Sequence, residues 1–336
     1  MSDAGTAPDP HSHPGRASDE ATEVYVRHRE LLFSIVYGML GTVADTEDVL
    51  QEAWLSWAAR CRDGAARPVD HPRGYLVRVA VNQALARQEA VRRRKEAYLG
   101  PWLPEPLVTE EDASEPALRA ESVSVALLVV LESLSPLERA VFVLHEVFGY
   151  AHTEIAGMLG RTPAAVRQLG HRARRHVRAR RPRYRSDPEV QRRVTERFVA
   201  ATTDGDLAAL LELLAPDVTM WNDGGGKVPR ASRRPLYGSD KVARFLVGVA
   251  RGGTERDGGR FGAHYRTING TPSAVLTRGG ALFGVMVLEL TPEGDRVRAV
   301  YTVANPDKLA HVRGAEAGRT ALPDHSDHHD HPRSRP

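Results

Sequence analysis

Helical spacing of apolar residues dominates the first part of the chain. The stripe of a first helix, predicted over residues 21–40, is formed by Tyr25, His28, Leu32, Val36 and Met39. Gly41 ends this helix. Thr42, with Asp45 three residues further on, resembles a capping box, in which each side chain satisfies a free backbone N–H of the first turn. A second helix is therefore predicted directly after the first.

The second helix is apolar inside and acidic outside. Its inward positions are Val49, Ala53, Trp54 and Trp57. Its outward positions are Glu47, Asp48, Gln51 and Glu52. Taken alone, such an acidic face is typical of an ordinary solvated helix surface.

The third helix has the opposite charge on its outer side. It follows the glycine- and proline-containing stretch 64–72, runs to about Tyr98, and buries Val77, Val81, Ala84, Leu85 and Gln88. Its outward residues are Arg73, Arg78, Asn82 and Arg87, before the basic run 92–95. Arg78 and Asn82 share a face because they are four positions apart. A basic helix of this kind favours contact with nucleic acid.

A proline-rich, acidic segment separates this helical part from the next. Residues 99–116 contain four prolines, which remove backbone donors and favour extended chain. The segment is therefore either a spacer or a strip that docks on another surface. Helical spacing resumes at Leu118. Ser135, Pro136 and Glu138 then combine an N-cap, a proline at the first helical position and a carboxylate that caps back. The buried face of this helix is predicted to be Leu137, Val141, Leu144 and Phe148.

Residues 152–177 have the pattern of a helix-turn-helix. Ile155, Ala156 and Leu159 form a short apolar face, Gly160 permits the turn, and Pro163 begins a second helix. The outward residues of that second helix are Arg167, Gln168, His171, Arg172 and Arg175. Arginine pairs with guanine and glutamine with adenine in the major groove, so this helix is predicted to read duplex DNA.

The distribution of charge supports that prediction, although the total does not. The formal net charge is only +3, but residues 161–186 contain ten arginines and no acid, whereas 105–121 is acidic. A merely solvated helix would carry acids among its arginines.

After Arg185 helical spacing gives way to alternation. A helix pair over 189–214 precedes strand-like runs at 217–221, 261–268, 273–277, 282–290 and 296–303. The intervening sequences 269–270, 278–280 and 293–295 carry hairpin signals. An α+β domain with a curved antiparallel sheet is predicted.

Composition excludes several classes of protein. The single cysteine, Cys61, excludes an internal disulfide framework and a multi-cysteine zinc site. No apolar run is long enough to span a membrane, and the polar N-terminus lacks a signal-peptide core, so a soluble cytoplasmic protein is expected. Both ends, 1–20 and 313–336, have the composition of disordered tails. The histidine-rich run 325–331 could bind a divalent metal, but a tail with incidental metal affinity is the simpler interpretation, and no metal site or cofactor is predicted.

Several motifs resemble those of one family. The sequence DTEDVLQEAW at 45–54 resembles the "DAEDxxQE" helix of bacterial RNA polymerase sigma factors of the extracytoplasmic-function (ECF) type. The sequence YLGPWLPEPL at 98–107 is similar to the linker signature of the SigJ-like subgroup, which has a SnoaL-like C-terminal extension. The sequences DGGGK at 223–227 and NPDKL at 305–309 resemble motifs of that extension. The resemblance covers about 20–312, with the motifs in order.

The resemblance implies a multidomain architecture and a set of partners. Two all-α sigma domains, a region 2 bundle and a region 4 helix-turn-helix, would precede an α+β SnoaL-like cone-shaped barrel. The expected divisions are 21–98, a linker at 99–117, 118–185 and 188–312. Core RNA polymerase, at its β′ clamp and β flap, and promoter DNA would be the partners.

The resemblance also implies roles for individual residues. Core polymerase would be contacted by Glu47, Asp48, Gln51 and Glu52. The −10 element would be melted and read by Arg78 and Asn82, with the loop 61–71. The −35 element would be read by Arg167, Gln168, His171, Arg172 and Arg175. Ala86 departs from the family, in which an aspartate is usual at this position of the −10 helix.

The C-terminal domain leaves three roles open: a regulator of the sigma domains, a ligand sensor, or an enzyme. Candidate pocket residues are Asp223, Lys227 and His264, with Trp221 and Tyr301 as walls, but no spacing fixes an acid and a base together, so no catalytic residue is assigned. A small-molecule ligand in this domain is a candidate partner. We expect regulation through contacts made by Trp102, Pro104, Glu105, Asp223, Gly224, Gly225, Gly226, Lys227, Asn305, Pro306, Asp307 and Lys308. The alternative for the whole chain is a one-component regulator that binds DNA alone and senses a ligand at its C-terminus.

Overall fold

The computed structural model describes residues 14–63, 69–109, 123–180, 186–229, 231–256 and 259–320. The predicted helix start at Leu118, most of the acidic stretch 105–121 and the histidine-rich run 325–331 lie outside the described residues. The helices are α1 (Pro14–Leu40), α2 (Val43–Arg62), α3 (Pro72–Glu96), α4 (Val125–Leu131), α5 (Pro136–Phe142, continued by a π-helical turn to Val147), α6 (His152–Leu159), α7 (Pro163–Arg180), α8 (Pro188–Asp204), α9 (Leu207–Leu213), α10 (Ser239–Arg256) and α11 (Ala310–Thr320). Both α1 and α11 extend into residues assigned to disordered tails, by seven positions at the first end and by eight at the second.

The helices α1 to α3 and α5 to α7 share one apolar core. Leu32 of α1, Leu76 of α3 and Val141 of α5 are fully buried in it, together with Ile155 of α6 and Val166 of α7. The two predicted sigma-type units are therefore packed directly against each other.

Capping boxes were predicted at the starts of two helices, and one of the two is present. Ser135 and Glu138 form the expected capping box at the start of α5. At the start of α2, the prediction was wrong, because the Thr42 hydroxyl donates to the Asp45 carboxylate and not to the backbone. The side chain of Asp45 is in turn held by two guanidinium groups: Arg87 pairs with one carboxylate oxygen and Arg94 with the other.

The C-terminal domain contains a six-stranded sheet in the order β2-β1-β6-β5-β4-β3. Its strands are β1 (Leu214–Asp223), β2 (Leu236–Tyr237), β3 (Phe261–Ile268), β4 (Thr271–Arg278), β5 (Ala281–Leu290) and β6 (Val297–Val303). The purely antiparallel sheet that was predicted is wrong at one place, since β1 and β6 pair in parallel. The chain between them includes α10, which joins β2 and β3 at opposite edges of the sheet and which no expectation included.

Alternation along each strand divides side chains between two faces. One face packs on α8, α9 and α10 and contains Met220 of β1 and Val300 of β6. The other face contains Trp221 and Tyr301, which stack with ring centroids 5.1 Å apart, and it packs against the linker residue Leu103. We call these the helix-side and linker-side faces. No helix in the described ranges is long and apolar enough to cross a bilayer.

Candidate nucleic-acid interface and linker contact

The second helix of the helix-turn-helix presents its basic residues outward. Gly160 adopts a left-handed conformation (φ 61°) between α6 and α7, which is the turn that glycine permits. Val166 is fully buried and fixes the rotation of α7. As a result, the predicted duplex-reading residues are exposed on one side of the helix: Arg167, Gln168, His171, Arg172 and Arg175.

One of these residues already has an acidic partner. The Arg172 guanidinium lies 2.8 Å from the Glu138 carboxylate on α5, and Arg172 remains 58% exposed. Glu138 also closes the capping box of α5, and hydrogen bonds from Ser135 and Arg172 outweigh the effect of burial and lower its pKa. The capping carboxylate therefore holds one arginine of the predicted DNA surface in place.

The basic face of α3 is only partly free. Arg73, Arg78 and Asn82 are exposed as predicted, but Arg87 is not outward: it forms ion pairs with Asp45, Asp48 and Glu52 of α2. The acids of the neighbouring helix therefore draw Arg87 into the contact between α2 and α3. The sequence alone gave no information about this packing.

Asn82 connects the two helical units. Its side-chain amide donates to the carbonyl of Met158 on α6, at 3.2 Å, and to the carbonyl of Arg78, at 2.9 Å. Arg73 lies over the Tyr150 ring, 5.8 Å from its centroid. The residue expected to read the −10 element thus contacts the helix-turn-helix.

The acidic face of α2 is exposed and partly paired. Glu47 pairs with Arg29 at 2.7 Å, and Asp48 and Glu52 pair with Arg87, while Gln51 is exposed. An apolar residue that the sequence reasoning missed lies on the same face. Leu55 is 56% exposed and follows Asp48 by seven positions, which places it one helical turn beyond Gln51 and Glu52. Leu55 therefore adds an exposed apolar side chain to the acidic face of α2.

The predicted linker and extension motifs meet at one buried carboxylate. Asp223, at the end of β1, is fully buried. It accepts hydrogen bonds from the Tyr98 hydroxyl and the Leu103 backbone N–H, at 2.8 Å for the latter, and pairs with the Lys308 ammonium at 2.7 Å. The Asn305 amide donates to the Tyr98 hydroxyl at 2.7 Å. We call this group of five residues the linker clamp.

Lys308 is the cation of the linker clamp. Its ammonium donates to the Leu103 carbonyl at 2.6 Å and lies 3.4 Å from the centroid of the Trp102 ring. Burial lowers the pKa of Lys308, and the negative charge of Asp223 opposes that effect. Burial, with the hydrogen bond to Asp223, raises the pKa of Tyr98, so its hydroxyl stays protonated and donates. Removing either partner of such a buried ion pair leaves the other charge buried and unpaired, which destabilises the fold.

The linker continues from the linker clamp to the first helices. Glu105 accepts a hydrogen bond from the backbone N–H of Val43 at 2.8 Å, and its own N–H donates to the Gly41 carbonyl at 3.0 Å. The Glu105 side chain therefore satisfies a free N–H in the first turn of α2, which Thr42 leaves unsatisfied. The Tyr37 hydroxyl donates to the Glu105 carbonyl at 2.5 Å.

Asn269 fixes the far end of the linker to the sheet. It adopts a positive φ of 50° in the turn between β3 and β4. Its side chain accepts from the Leu107 N–H at 3.0 Å and donates to the Tyr37 hydroxyl at 3.0 Å. Of the two interpretations of the proline-rich segment, the docked strip is the one found for residues 98–109.

The glycine motif lets its loop approach the linker closely. Gly225 and Gly226 have positive φ values of 59° and 71°. A Cβ on Gly225 would lie 2.5 Å from the Asn305 Nδ2 and 2.9 Å from the Tyr98 hydroxyl, and one on Gly226 would lie 2.7 Å from the Leu99 Cδ2. These glycines are therefore required by a contact as well as by a turn.

The candidate pocket residues of the C-terminal domain do not form a pocket together. Asp223, Trp221 and Tyr301 lie on the linker-side face, Lys227 pairs with Asp307 at the surface, and His264 lies 2.7 Å from the Glu316 carboxylate. This expectation was wrong because alternate residues of a strand point to opposite faces. The residues of β1 that line a cavity are Met220 and Asn222, on the helix-side face. Within the described ranges, no group of three or more His, Cys, Asp or Glu side chains could hold a metal ion.

Comparisons with known proteins identify the family of the two helical units. Residues 24–96 match the model of Sigma-70 region 2, and residues 124–177 match that of Sigma-70, region 4. The chain is 39% identical over 292 residues to "ECF RNA polymerase sigma factor SigJ" of Mycobacterium tuberculosis, covering 84% of this chain and 90% of that protein. It is 29% identical over 309 residues to "Probable ECF RNA polymerase sigma factor SigI" of the same species, covering 89% and 98%.

A solved structure extends the likeness through the C-terminal domain. The crystal structure of the M. tuberculosis factor SigJ superimposes with a TM-score of 0.66 and 34% identity, over 86% of this chain and 98% of that one. The likeness therefore includes the α+β extension as well as both helical units.

Proposed function

Since the chain belongs to the ECF RNA polymerase sigma factors, which bind core RNA polymerase and promoter DNA, we propose that its SnoaL-like C-terminal domain controls when its two DNA-reading helices separate. A sigma factor directs core polymerase to specific promoters. The enzyme and one-component-regulator alternatives are not favoured by this membership. Core polymerase and promoters are in the cytoplasm, where we expect the chain to act.

The distance between promoter elements supports a requirement for separation. Elements at −10 and −35 are about 25 base pairs apart, which is roughly 85 Å at 3.4 Å per base pair. In the structure, α3 and the helix-turn-helix are in contact through Asn82 and the Met158 carbonyl. One molecule in this arrangement cannot place both helices on their elements at once, so we call it the closed arrangement. Opening is a necessary step in promoter recognition.

The linker clamp is the single observation that carries the proposal. The segment that must extend when the helical units separate is held by a fully buried carboxylate of the C-terminal domain. Freeing the linker would expose the Asp223–Lys308 pair and the apolar side chain of Leu103 to solvent. The domain therefore stabilises the closed arrangement against opening.

The roles of individual surfaces belong to the same proposal. The segment 21–98 would bind the β′ clamp through Asp48, Gln51, Glu52 and Leu55, with Glu47 at the edge, and would read the −10 element with Arg78 and Asn82. The segment 118–185 would meet the β flap and read the −35 element with Arg167, Gln168, His171, Arg172 and Arg175. The segment 188–312 would regulate the separation of the two DNA-reading helices, and we propose that it does so in response to a small molecule that it binds.

Transcription in vitro with added core polymerase tests the docking surface. Leu55→Glu in the full chain is expected to reduce promoter-specific transcript at least tenfold, because it puts a charge in the centre of the interface. Val26→Glu is the matched control, since Val26 is a similarly exposed apolar residue on α1 (60% exposed). Equal amounts of transcript from both variants would contradict the proposal that α2 binds core polymerase.

Tyr98→Phe tests the linker clamp with little change in packing. It removes only the hydroxyl that joins Asp223 to Asn305. We expect more transcript at limiting core polymerase, and a longer distance between spin labels placed on exposed positions of α3 and α7, with Cys61 replaced. Unchanged transcript together with an unchanged distance would contradict control through the linker clamp.

A further inference from the structure

An apolar cavity lies under the helix-side face of the sheet. Its walls come from α8, α10 and strands β1, β3, β4, β5 and β6, including Val199, Phe245, Leu246 and Met286. Among the described residues that line it, none is charged. Charged molecules are therefore excluded on physical grounds, because nothing in the wall would compensate their desolvation.

Two polar atoms in this wall have no partner in the described part of the chain. They are Oδ1 of Asn222 and Oγ1 of Thr302, and both residues are at least nine-tenths buried. Buried polar groups are nearly always hydrogen-bonded, since leaving one unpaired costs about 1–3 kcal/mol. The other hydroxyls of the wall follow that rule: Thr202 and Thr203 donate to the carbonyls of Phe198 and Val199 in their own helix.

The sheet places the two unpaired groups side by side. Asn222 of β1 is in register with Thr302 of β6 across the parallel pair, so both side chains point to the same face about 4.8 Å apart. An amide oxygen accepts a hydrogen bond, and a hydroxyl donates one. The complement is a molecule that carries a donor next to an acceptor on an apolar body. A carboxamide has that arrangement, and it pairs equally well if the Asn222 amide is turned over.

The cavity and the linker clamp share a loop. Val228, Pro229 and Ala231 close the cavity, while Gly225 and Gly226 of the same loop lie against Tyr98 and Leu99 of the linker. The cavity has a volume of about 70 Å³. A cavity of about 150 Å³ accommodates benzene, so part of the wall has to move to admit an organic molecule of eight or more heavy atoms, and this loop is the part of the wall that is continuous with the contact to the linker.

We infer that this cavity binds a neutral, largely hydrocarbon molecule with a carboxamide-like head, and that binding loosens the linker. The head would pair with Asn222 and Thr302, and the apolar tail would displace the loop that presses on Tyr98 and Leu99. This inference rests on the proposed control by the C-terminal domain and names the signal to which that domain would respond.

Binding is tested on the full chain with hexanamide as the probe and hexanoate as the charged comparator. Calorimetry should show saturable binding of hexanamide and none of hexanoate. Asn222→Leu, which fills the site without an acceptor, should weaken hexanamide binding about 10-fold or more through the lost hydrogen bond. Thr203→Val is the matched control, since its hydroxyl lines the same cavity but is already bonded, and it should leave the affinity unchanged.

The coupling is tested in the same sample by fluorine NMR. With 5-fluorotryptophan at the four tryptophans, the Trp102 resonance should shift with the same midpoint as binding, while that of Trp57 in α2 should not move. Absence of saturable binding, or equal affinity in Asn222→Leu, overturns the site, and binding without a Trp102 shift overturns the coupling. A change in transcript from Tyr98→Phe alongside either failure would leave the proposed function intact.

Discussion

The two faces of the C-terminal sheet use neighbouring residues for opposite purposes. On the linker-side face, Asp223 has a partner for each of its carboxylate oxygens and holds the linker. One position earlier, on the helix-side face, Asn222 has an unpaired oxygen in an apolar cavity. Polar groups that satisfy one another stabilise a fold, whereas an unsatisfied group destabilises it and is then available to a ligand. Replacing the polar group by a less polar one should therefore lower the unfolding free energy at Asp223 and raise it at Asn222.

The largest effect is expected from Asp223→Asn. It leaves the Lys308 ammonium, which is 4% exposed, without a negative partner. Breaking such a buried pair costs about 3–5 kcal/mol. The measurement is the unfolding free energy of the C-terminal domain within the full chain, obtained from backbone hydrogen exchange of its sheet during denaturation.

Two variants sharpen that result. Asp307→Asn removes an exposed charge pair in the same motif and should cost less than about 1 kcal/mol. Adding Lys308→Met to Asp223→Asn should recover part of the loss, because the unpaired cation is gone. If the double variant were as unstable as the single one, the charge of Lys308 would not be the cause.

A smaller loss is expected from Gly225→Ala. The left-handed conformation costs an alanine about 1–2 kcal/mol, and the new Cβ would meet the Asn305 amide. Hydrogen exchange at the Leu103 N–H, which is bonded to Asp223, should accelerate. Gly280→Ala is the control, since Gly280 has a similar φ of 80° and nothing within 4 Å of the added Cβ. Equal acceleration of Leu103 exchange in both variants would show that conformational strain, and not the contact, is responsible.

Asn222→Leu should change stability in the other direction. Replacing an unsatisfied buried amide by an apolar side chain of similar size is expected to raise the unfolding free energy by about 1 kcal/mol. The change is read as a higher thermal midpoint of the full chain without added ligand. A clear loss of stability would mean that the Asn222 oxygen is paired in solution, and the contrast between the two faces would fail.

Near neutral pH the smallest effect concerns Lys95, which approaches the linker from α3. Burial lowers the pKa of Lys95 from 10.5 to about 8, although Glu132 beside it opposes the shift. Below pH 8 both folded and unfolded chains carry the proton. Between pH 8 and 10.5 only the unfolded chain keeps it, so the contribution of Lys95 to stability rises with pH in that window. The Cε chemical shift of Lys95 should titrate near pH 8, and Glu132→Gln should lower that midpoint further. A midpoint near 10.5 would contradict the burial of this ammonium group.

The sequence was informative where local rules decide the structure. Alternation predicted five of the six strands of the C-terminal sheet and missed the two-residue β2. The turn at Gly160, which needs a positive φ, was also predicted. The capping box at Ser135 has the sequence and the geometry expected of it. In each case the residues that determine the element are neighbours in the chain.

Prediction failed where distant residues compete for the same group. Arg87 looked outward on its own helix, but the acids of α2 draw it inward. Thr42 looked like a cap, but its hydroxyl donates a hydrogen bond to the Asp45 carboxylate. The parallel pairing of β1 with β6 goes with a crossover between the two edges of the sheet, which α10 provides. The buried stripe of α10, formed by Val242, Ala243, Leu246 and Val247, was a helical signal available in the sequence.

The register of β1 was the other missing piece of information. A shift of one residue exchanges the faces of a strand, so placing Asp223 and Trp221 in the pocket required knowing which face the helices cover. Only tertiary structure supplies that fact, and it decides which residues hold the linker and which line the cavity.

The Glu105 carboxylate has a consequence for the polymerase-facing helix itself. A helix whose first N–H groups lose their acceptors unravels from that end. When the proline strip detaches, α2 loses the acceptor of its Val43 N–H, and the turn just before Glu47 and Asp48 should fray. Polymerase would then bind a helix whose first turn is frayed and refolds on contact. Release of the linker around Glu105, some sixty residues downstream of Val43, should therefore be measurable as faster amide exchange at the start of α2.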